Sequence, residues 1–240
     1  MTEDSQKPTR RRMPLSPLRE GTHSLSQDEG RYLLKALRLG DGEKLEVFDG
    51  DGFYALATLL GVEAGDAYLE VSKPQEAPRP ELELYVASAT PKGDRADWLV
   101  EKVTELGASG LIWLKTERSV VIPKPGSKKF ERWARLSDAA ARQSRRMRVP
   151  TLEGPLTLEE LKTFEFDHRF VASPIKESDT PLPSPLKGKV LIAIGPEGGF
   201  TDHELEQFKN SGYNLLWLNP HVLRTETAAI AAAAVLTARL

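Results

Sequence analysis

The chain is expected to be an α/β protein in two parts, a small β-barrel followed by a larger domain of alternating strands and helices. Three observations predict this. Before Pro74, short apolar runs surround Asp-Gly turns. After Pro80, short apolar runs alternate with segments of helical period. Between them PQEAPRP, Pro74 to Pro80, has the composition of a linker. A chain of 240 residues suits two domains, since domains hold about 100 to 200 residues each. They are placed at 1–74 and 80–240.

In the first part, LEVFDGDGFYALATLL and AYLEVSK read as strands, with one helical segment at Gln27 to Leu39. In the second, ELELYVAS puts Leu82, Leu84 and Val86 on one face of a strand, and DRADWLVEKVTELG is a helix stopped at Gly107. GLIWL, HRFVA, VLIAI and YNLLWL have the continuous apolar character of strands covered on both faces of a parallel sheet. Helices are expected near Lys128 to Met147, Thr157 to Phe164, Asp202 to Ser211 and Glu226 to Leu240.

The composition excludes several classes. The longest apolar run, Ala228 to Leu236, is nine residues, whereas a spanning helix needs about 20. The N-terminus MTEDSQKPTRRRMP is charged and lacks the apolar core of a secretory signal. With no cysteine there is no thiolate nucleophile or thiolate metal site, and the four histidines are scattered. These features point to a cytoplasmic protein without a metal.

The segment LIAIGPEGGFTDHELE joins a buried strand to a helix through a glycine-rich turn. Thr201 and Glu204 form a capping box, so the helix starts behind Phe200 with its amides directed at the turn. Glycines let a ligand lie against bare backbone, and in open α/β sheets ligands bind beyond the carboxyl ends of strands. A tight strand-to-helix connection is the alternative. Neither a P-loop nor the G-x-G-x-x-G spacing is present, and Glu197 repels phosphate, so the turn suits a ligand without phosphates that carries positive charge. After the next strand, LNPHVLRTETAAIAAAAVL places Arg224 before a helix that Thr225 can cap, with Glu226 in its first turn.

Charge is unevenly spread. The net charge is −2, yet Lys115 to Arg148 carries a local +8. That is the footprint of a face that meets a polyanion, the alternative being a solvated helix surface. Arg142, Arg145 and Arg146 have the spacing of one helix face, and with Arg148 they have no acid among them.

Taken together, IGPEGG before a helix and, some twenty residues later, LNPHVLRTETA resemble the SPOUT superfamily of methyltransferases, and within it the bacterial 16S ribosomal RNA uridine-N3 methyltransferases. KGDRADWLVEKVTELG, TERSVV, FERWARLSDAAARQS, the RVP tail and YLLKALRLGDGEKLEVFDGDG extend the resemblance over roughly residues 23 to 238. It implies a PUA-like barrel in front and a knotted α/β domain that binds S-adenosylmethionine and pairs two subunits. It further implies that the methyl group is transferred to N3 of a uridine in small-subunit ribosomal RNA. Cofactor contacts carry over to Ala172, Ser173 and Pro174, to Gly195, Pro196, Glu197, Gly198 and Gly199, and to Leu218, Asn219, Pro220, Leu223, Arg224, Thr225 and Ala228. Candidate RNA contacts are Arg10, Arg11, Arg12, Arg38, Lys92, Arg95, Arg118, Arg142, Arg145, Arg146 and Arg148.

The chain departs from the family at several points. Asn219 stands for a usual Gly, where asparagine tolerates a left-handed backbone; His221 stands for Arg, Ser173 for His and Tyr32 for His. A Glu-Gln-Ser/Cys-Gly-Arg run appears as Arg142-Gln143-Ser144-Arg145-Arg146. For the chemistry, Arg224 is the candidate to stabilise a uridine anion, and Glu197 or Glu226 to accept the N3 proton. Other readings are a SPOUT enzyme acting on tRNA or 23S ribosomal RNA, and a non-catalytic RNA-binding module.

Overall fold

The computed structural model describes residues 11–63, 66–174 and 182–239. The chain divides into two compact units, one of residues 1–79 with Arg145–Arg148, the other of Pro80–Ser144 with Val149–Leu240.

In the first unit β1 (Arg12–Pro14), β3 (Lys44–Phe48), β4 (Phe53–Glu63), β5 (Asp66–Val71) and β2 (Gly21–Leu25) pair in that order, and β6 (Gln75–Glu76) pairs with β4. Pairing is antiparallel except between β1 and β3. The expected barrel is thus an open path of strands, with β1 and β2 at its two ends among the described residues. Alternation along β3 and β4 turns Leu45, Val47, Ala55, Ala57 and Leu59 into the core beside Met13, Leu33 and Leu69. Helix α1 (Gln27–Arg31) packs on β5, where Gly30 allows a close approach: a Cβ there would lie 3.3 Å from the Cβ of Ala67. The helix expected to run to Leu39 ends earlier, in a π-helical turn over Tyr32–Ala36. Arg38 then adopts φ +52°, a left-handed conformation that no helix continues through.

The second unit is a parallel six-stranded sheet in the order β12 (Asn214–Trp217), β10 (His168–Ser173), β11 (Gly188–Ile194), β7 (Leu82–Ala89), β8 (Gly110–Leu114) and β9 (Thr151–Leu156). Helices α2 (Arg95–Glu105), α3 (Lys128–Gln143) and α6 (Thr225–Thr237) contribute to the core on one face, with Leu82, Leu84 and Val86. Helices α4 (Leu158–Leu161) and α5 (Asp202–Asn210) contribute to the core on the other, with Ala87, Ile112, Val171 and Leu191. Strand periodicity of two explains why neighbours in β7 enter different cores. Trp113 and Trp133 pack with their ring planes tilted by 39° at 4.4 Å between centroids, and the Trp133 indole donates to Asp97 at 2.9 Å. Three of the alanines of α6 are buried: Ala229, Ala232 and Ala233 let α6 lie close to α2 and β7.

Helix boundaries in this unit also differ from expectation. Helix α3 stops at Gln143 rather than Met147, because Ser144 turns its hydroxyl back to the Ala140 carbonyl and Arg145 enters the left-handed region at φ +61°. Arg142, Arg145 and Arg146 therefore do not share a helix face. Helix α4 spans one turn, and α6 ends at Thr237, whose hydroxyl bonds to the Ala233 carbonyl.

Candidate active site

Three neighbouring strands, β10, β11 and β12, end side by side. Val171 is level with Ala193 and Ser173 with Trp217, so the chain leaves the sheet at Pro174, Gly195 and Leu218 along one edge. Strand β7, level with the end of β11 at Ser88 and Ile194, delivers Thr90 and α2 to that same edge. The candidate cofactor residues gather here for a topological reason: parallel strands all point their carboxyl ends one way.

The Thr201/Glu204 capping box is present as expected, with the Glu204 carboxylate accepting from the Thr201 amide at 2.9 Å. Glu204 does more than cap. It is 7% exposed, and its second oxygen accepts from the Glu117 amide at 2.9 Å, tying the β8–α3 loop to the start of α5. Beside it, Arg118 donates to the Gly198 carbonyl at 2.7 Å.

The glycines have separable reasons. A Cβ on Gly195 would come within 3.1 Å of the Phe200 ring, and one on Gly198 within 3.3 Å of the Arg118 Cδ. Gly199 has φ +69° and open space where a Cβ would stand. The bare surface at Gly198 thus holds the Arg118 side chain, and Gly199 is the residue whose backbone requires glycine.

Thr225 does not cap α6 as expected. Arg224 holds the N-cap position without a side-chain bond, while the Thr225 hydroxyl donates to the Gly195 carbonyl at 3.1 Å and joins the two loops. Asn219 is not left-handed; its side-chain oxygen accepts from the His221 amide at 2.9 Å, an Asx turn that replaces the flexibility glycine would bring. Leu218, Ala172 and Ala228 pack at the margin of the core, and Pro220, Leu223 and Arg224 follow in the exposed or half-buried approach to α6.

Arg95, expected at RNA, stands between the two candidate proton acceptors, 3.9 Å from a Glu197 oxygen and 3.7 Å from Glu226 Oε1. Glu226 is 4% exposed, and its Oε2 has no hydrogen-bond partner among the described residues; nor has the buried Thr90 hydroxyl. A buried acceptor without a partner is costly, which makes these two atoms at the strand ends candidates to meet a ligand. Thr90, Glu117 and Glu204 were not identified as site residues in the sequence. Thr90 was visible there only as the residue following a buried strand.

The proposed basic face is dispersed. Arg142 pairs with Asp138 one turn back. Arg12 is ion-paired with Glu46 at 2.6 Å and lies over the Phe48 ring, and Arg11 pairs with Glu43 at 2.6 Å. Arg148 donates to the carbonyls of Asp51 and Ala77 at 2.6 and 3.1 Å, and reaches Glu76 at 3.2 Å. Burial pushes Arg146 down to about 10, which leaves it protonated at neutral pH. Arg38, Lys92, Arg118 and Arg145 are exposed, and Arg10 lies outside the described residues. Arg145 takes its left-handed conformation where the resembled family has glycine. Among the described residues no cluster suits a metal ion, and no helix is long and apolar enough to cross a membrane.

A parallel sheet with a glycine turn and a second loop converging on carboxylates and an arginine defines an α/β protein with a candidate ligand site at its strand ends. Residues 78–237 match the RNA methyltransferase domain family, and residues 25–72 match the RNA methyltransferase PUA domain family. The chain belongs to the RNA methyltransferase family. It is 31% identical to the ribosomal RNA small subunit methyltransferase E of Bacillus subtilis over 220 residues, 86% of each chain. It is 32% identical to that of Synechocystis over 236 residues, 92% of this chain and 74% of the other. The crystal structure of a ribosomal RNA small subunit methyltransferase E from Neisseria gonorrhoeae bound to S-adenosyl methionine is similar at TM-score 0.79 and 27% identity, covering 95% of this chain and 97% of that one.

Proposed function

We propose that this chain transfers a methyl group from S-adenosylmethionine to N3 of a uridine in 16S ribosomal RNA of the small subunit. The reading rests above all on one observation: the loops after β11 and β12 converge, through the Thr225 bond to Gly195 and through Arg95, on Glu197 and the buried Glu226. The small-subunit methyltransferase E relatives supply the substrate class.

The site fits the cofactor. Gly199 leaves room against bare backbone; the unpartnered Glu226 oxygen and the Thr90 hydroxyl offer hydrogen-bond acceptors; Glu197 brings negative charge without phosphate affinity. The residues that would hold it run from Ala172 to Pro174, Gly195 to Gly199 and Leu218 to Ala228. S-adenosylmethionine, when bound, would supply a methyl group on a positively charged sulfur that leaves as a neutral thioether. Uridine N3 carries a weakly acidic proton, which must leave for its lone pair to react. Glu226 accepts that proton, or Glu197 does, while exposed Arg224 stabilises the negative charge on the uracil ring. Positioning supplies several kcal/mol besides.

In this reading residues 1–74 form the RNA-binding domain and 80–240 the methyltransferase domain, in a cytoplasmic homodimer whose α/β domain is threaded as a trefoil knot. The placing of β11 between β7 and the earlier β10, with α6 folded back from edge strand β12 onto β7, is compatible with such threading. Nucleoside analysis of 16S ribosomal RNA from cells with and without the gene tests the function: loss of 3-methyluridine supports it. Intact 3-methyluridine, or a loss confined to tRNA or 23S ribosomal RNA, overturns it.

A further inference from the structure

We infer that Arg118 is a positioning residue for the cofactor turn, acting from the β8–α3 loop through the Gly198 carbonyl rather than by contact with RNA. The inference rests on the proposed function, because it assigns the glycine turn to S-adenosylmethionine. Three observations carry it. The Arg118 guanidinium donates to the Gly198 oxygen at 2.7 Å across 80 residues of sequence. Its aliphatic stem lies along the bare Cα of Gly198, where a Cβ would stand 3.3 Å from Cδ and 3.6 Å from Arg118 Cβ, so even this glycine is shaped to the arginine. And the neighbouring Glu117 amide is fixed at 2.9 Å on the buried Glu204 carboxylate, whose other oxygen caps α5 directly behind the turn.

The result is a two-point latch. Glu204 anchors the loop at Glu117, and Arg118 reaches from that anchor to the turn. The Gly195–Gly199 segment has φ +69° at Gly199 and one backbone bond of its own, from the Gly199 amide to the Pro196 carbonyl at 2.9 Å, and it also receives bonds from outside: Thr225 on Gly195, Arg118 on Gly198. A loop held in its binding conformation loses less freedom on binding, which raises affinity without adding a contact to the ligand. Without the bond, cofactor binding must also order the turn, so its removal should weaken the cofactor by roughly tenfold.

Titration calorimetry with S-adenosylmethionine on the full-length wild type, Arg118→Ala and Arg118→Lys tests this, beside filter binding of a 16S ribosomal RNA fragment and steady-state methyl transfer. Arg118→Ala should bind cofactor about tenfold more weakly. Its KM for S-adenosylmethionine should rise while kcat at saturating cofactor stays within about threefold, because the arginine acts on the turn and not on the reacting atoms. Arg118→Lys, which keeps the charge and one donor, should recover most of the affinity. Unchanged cofactor affinity in Arg118→Ala, with weaker RNA binding and a shallower salt slope, would make Arg118 a phosphate contact and overturn the inference. A loss in Arg118→Lys as large as in Arg118→Ala overturns it as well. A wild type that binds no S-adenosylmethionine brings down the functional reading and this inference together; a wild type that binds, with Arg118→Ala its equal, brings down this inference alone.

Discussion

Glu204 and Glu160 occupy the same position in identical capping motifs, yet their removal should have unequal consequences. Each carboxylate accepts from a threonine amide at its helix start, Thr201 and Thr157 respectively. Glu160 is exposed, so water solvates whatever Glu160→Ala leaves behind. Glu204 is buried and also serves the Glu117 amide. Glu204→Ala removes the cap, about 1 kcal/mol, and the bond that its buried carboxylate accepts from the Glu117 amide, about 1.5–3 kcal/mol. The sum is about 3 kcal/mol. With a urea dependence of about 2 kcal/mol/M, that lowers the midpoint by about 1.5 M. All four tryptophans, Trp98, Trp113, Trp133 and Trp217, lie in the second unit, so their fluorescence reports the unfolding of that unit alone. Glu160→Ala should move the midpoint far less. Equal midpoints for the two variants would refute the reasoning, because they would mean that the Glu117 bond contributes nothing.

Arg224→Ala should nearly preserve RNA binding in filter assays and lower single-turnover methyl transfer by about 100-fold or more, the magnitude of losing one electrostatic stabiliser of developing charge; a rate within threefold of wild type would remove Arg224 from the chemistry. Replacing Arg145 and Arg146 together by alanine should make the salt dependence of RNA binding shallower, by roughly 0.7 to 0.9 per lost phosphate contact, and an unaltered slope would mean that neither reaches phosphate. Acid should destabilise both units. Glu43 is held below the ordinary carboxylate range by the Gly40 amide and Arg11, Glu81 by Lys187, and Glu160 by the Thr157 amide and hydroxyl. A lowered folded value means the stabilisation is complete above the unfolded value of about 4.3 and is lost as pH falls through the folded one. Thermal unfolding followed from pH 6 to pH 3 checks this, and a melting temperature flat below pH 4.5 would contradict it.

Local chemistry was legible in the sequence. The Thr201/Glu204 box, the stop of α2 at Gly107 with φ +91°, the alternation that buries Leu82, Leu84 and Val86, and the parallel strands GLIWL and VLIAI all follow from residues within one element, where period, capping and glycine conformation act over a few positions. The two motifs that carry the family resemblance were likewise contiguous. Tertiary structure decided what depends on distant partners. Helix α3 was overextended because the basic run after Gln143 has good helix formers, and only the Ser144 bond to Ala140 and the left-handed Arg145 end it. The clustered charge of Lys115 to Arg148 looked like one surface; in the fold Arg142 meets Asp138, and Arg148 serves backbone carbonyls of Asp51 and Ala77. Thr225 and Arg95 had plausible local roles as a cap and an RNA contact, yet Thr225 bonds to Gly195, thirty residues away, and Arg95 stands between Glu197 and Glu226. A sequence determines which groups a chain carries and how each turn can bend, since those are properties of neighbouring residues. Which donor finds which acceptor across the sheet edge is decided by the order in which six parallel strands lie side by side, and strand order is set by the packing of the whole core.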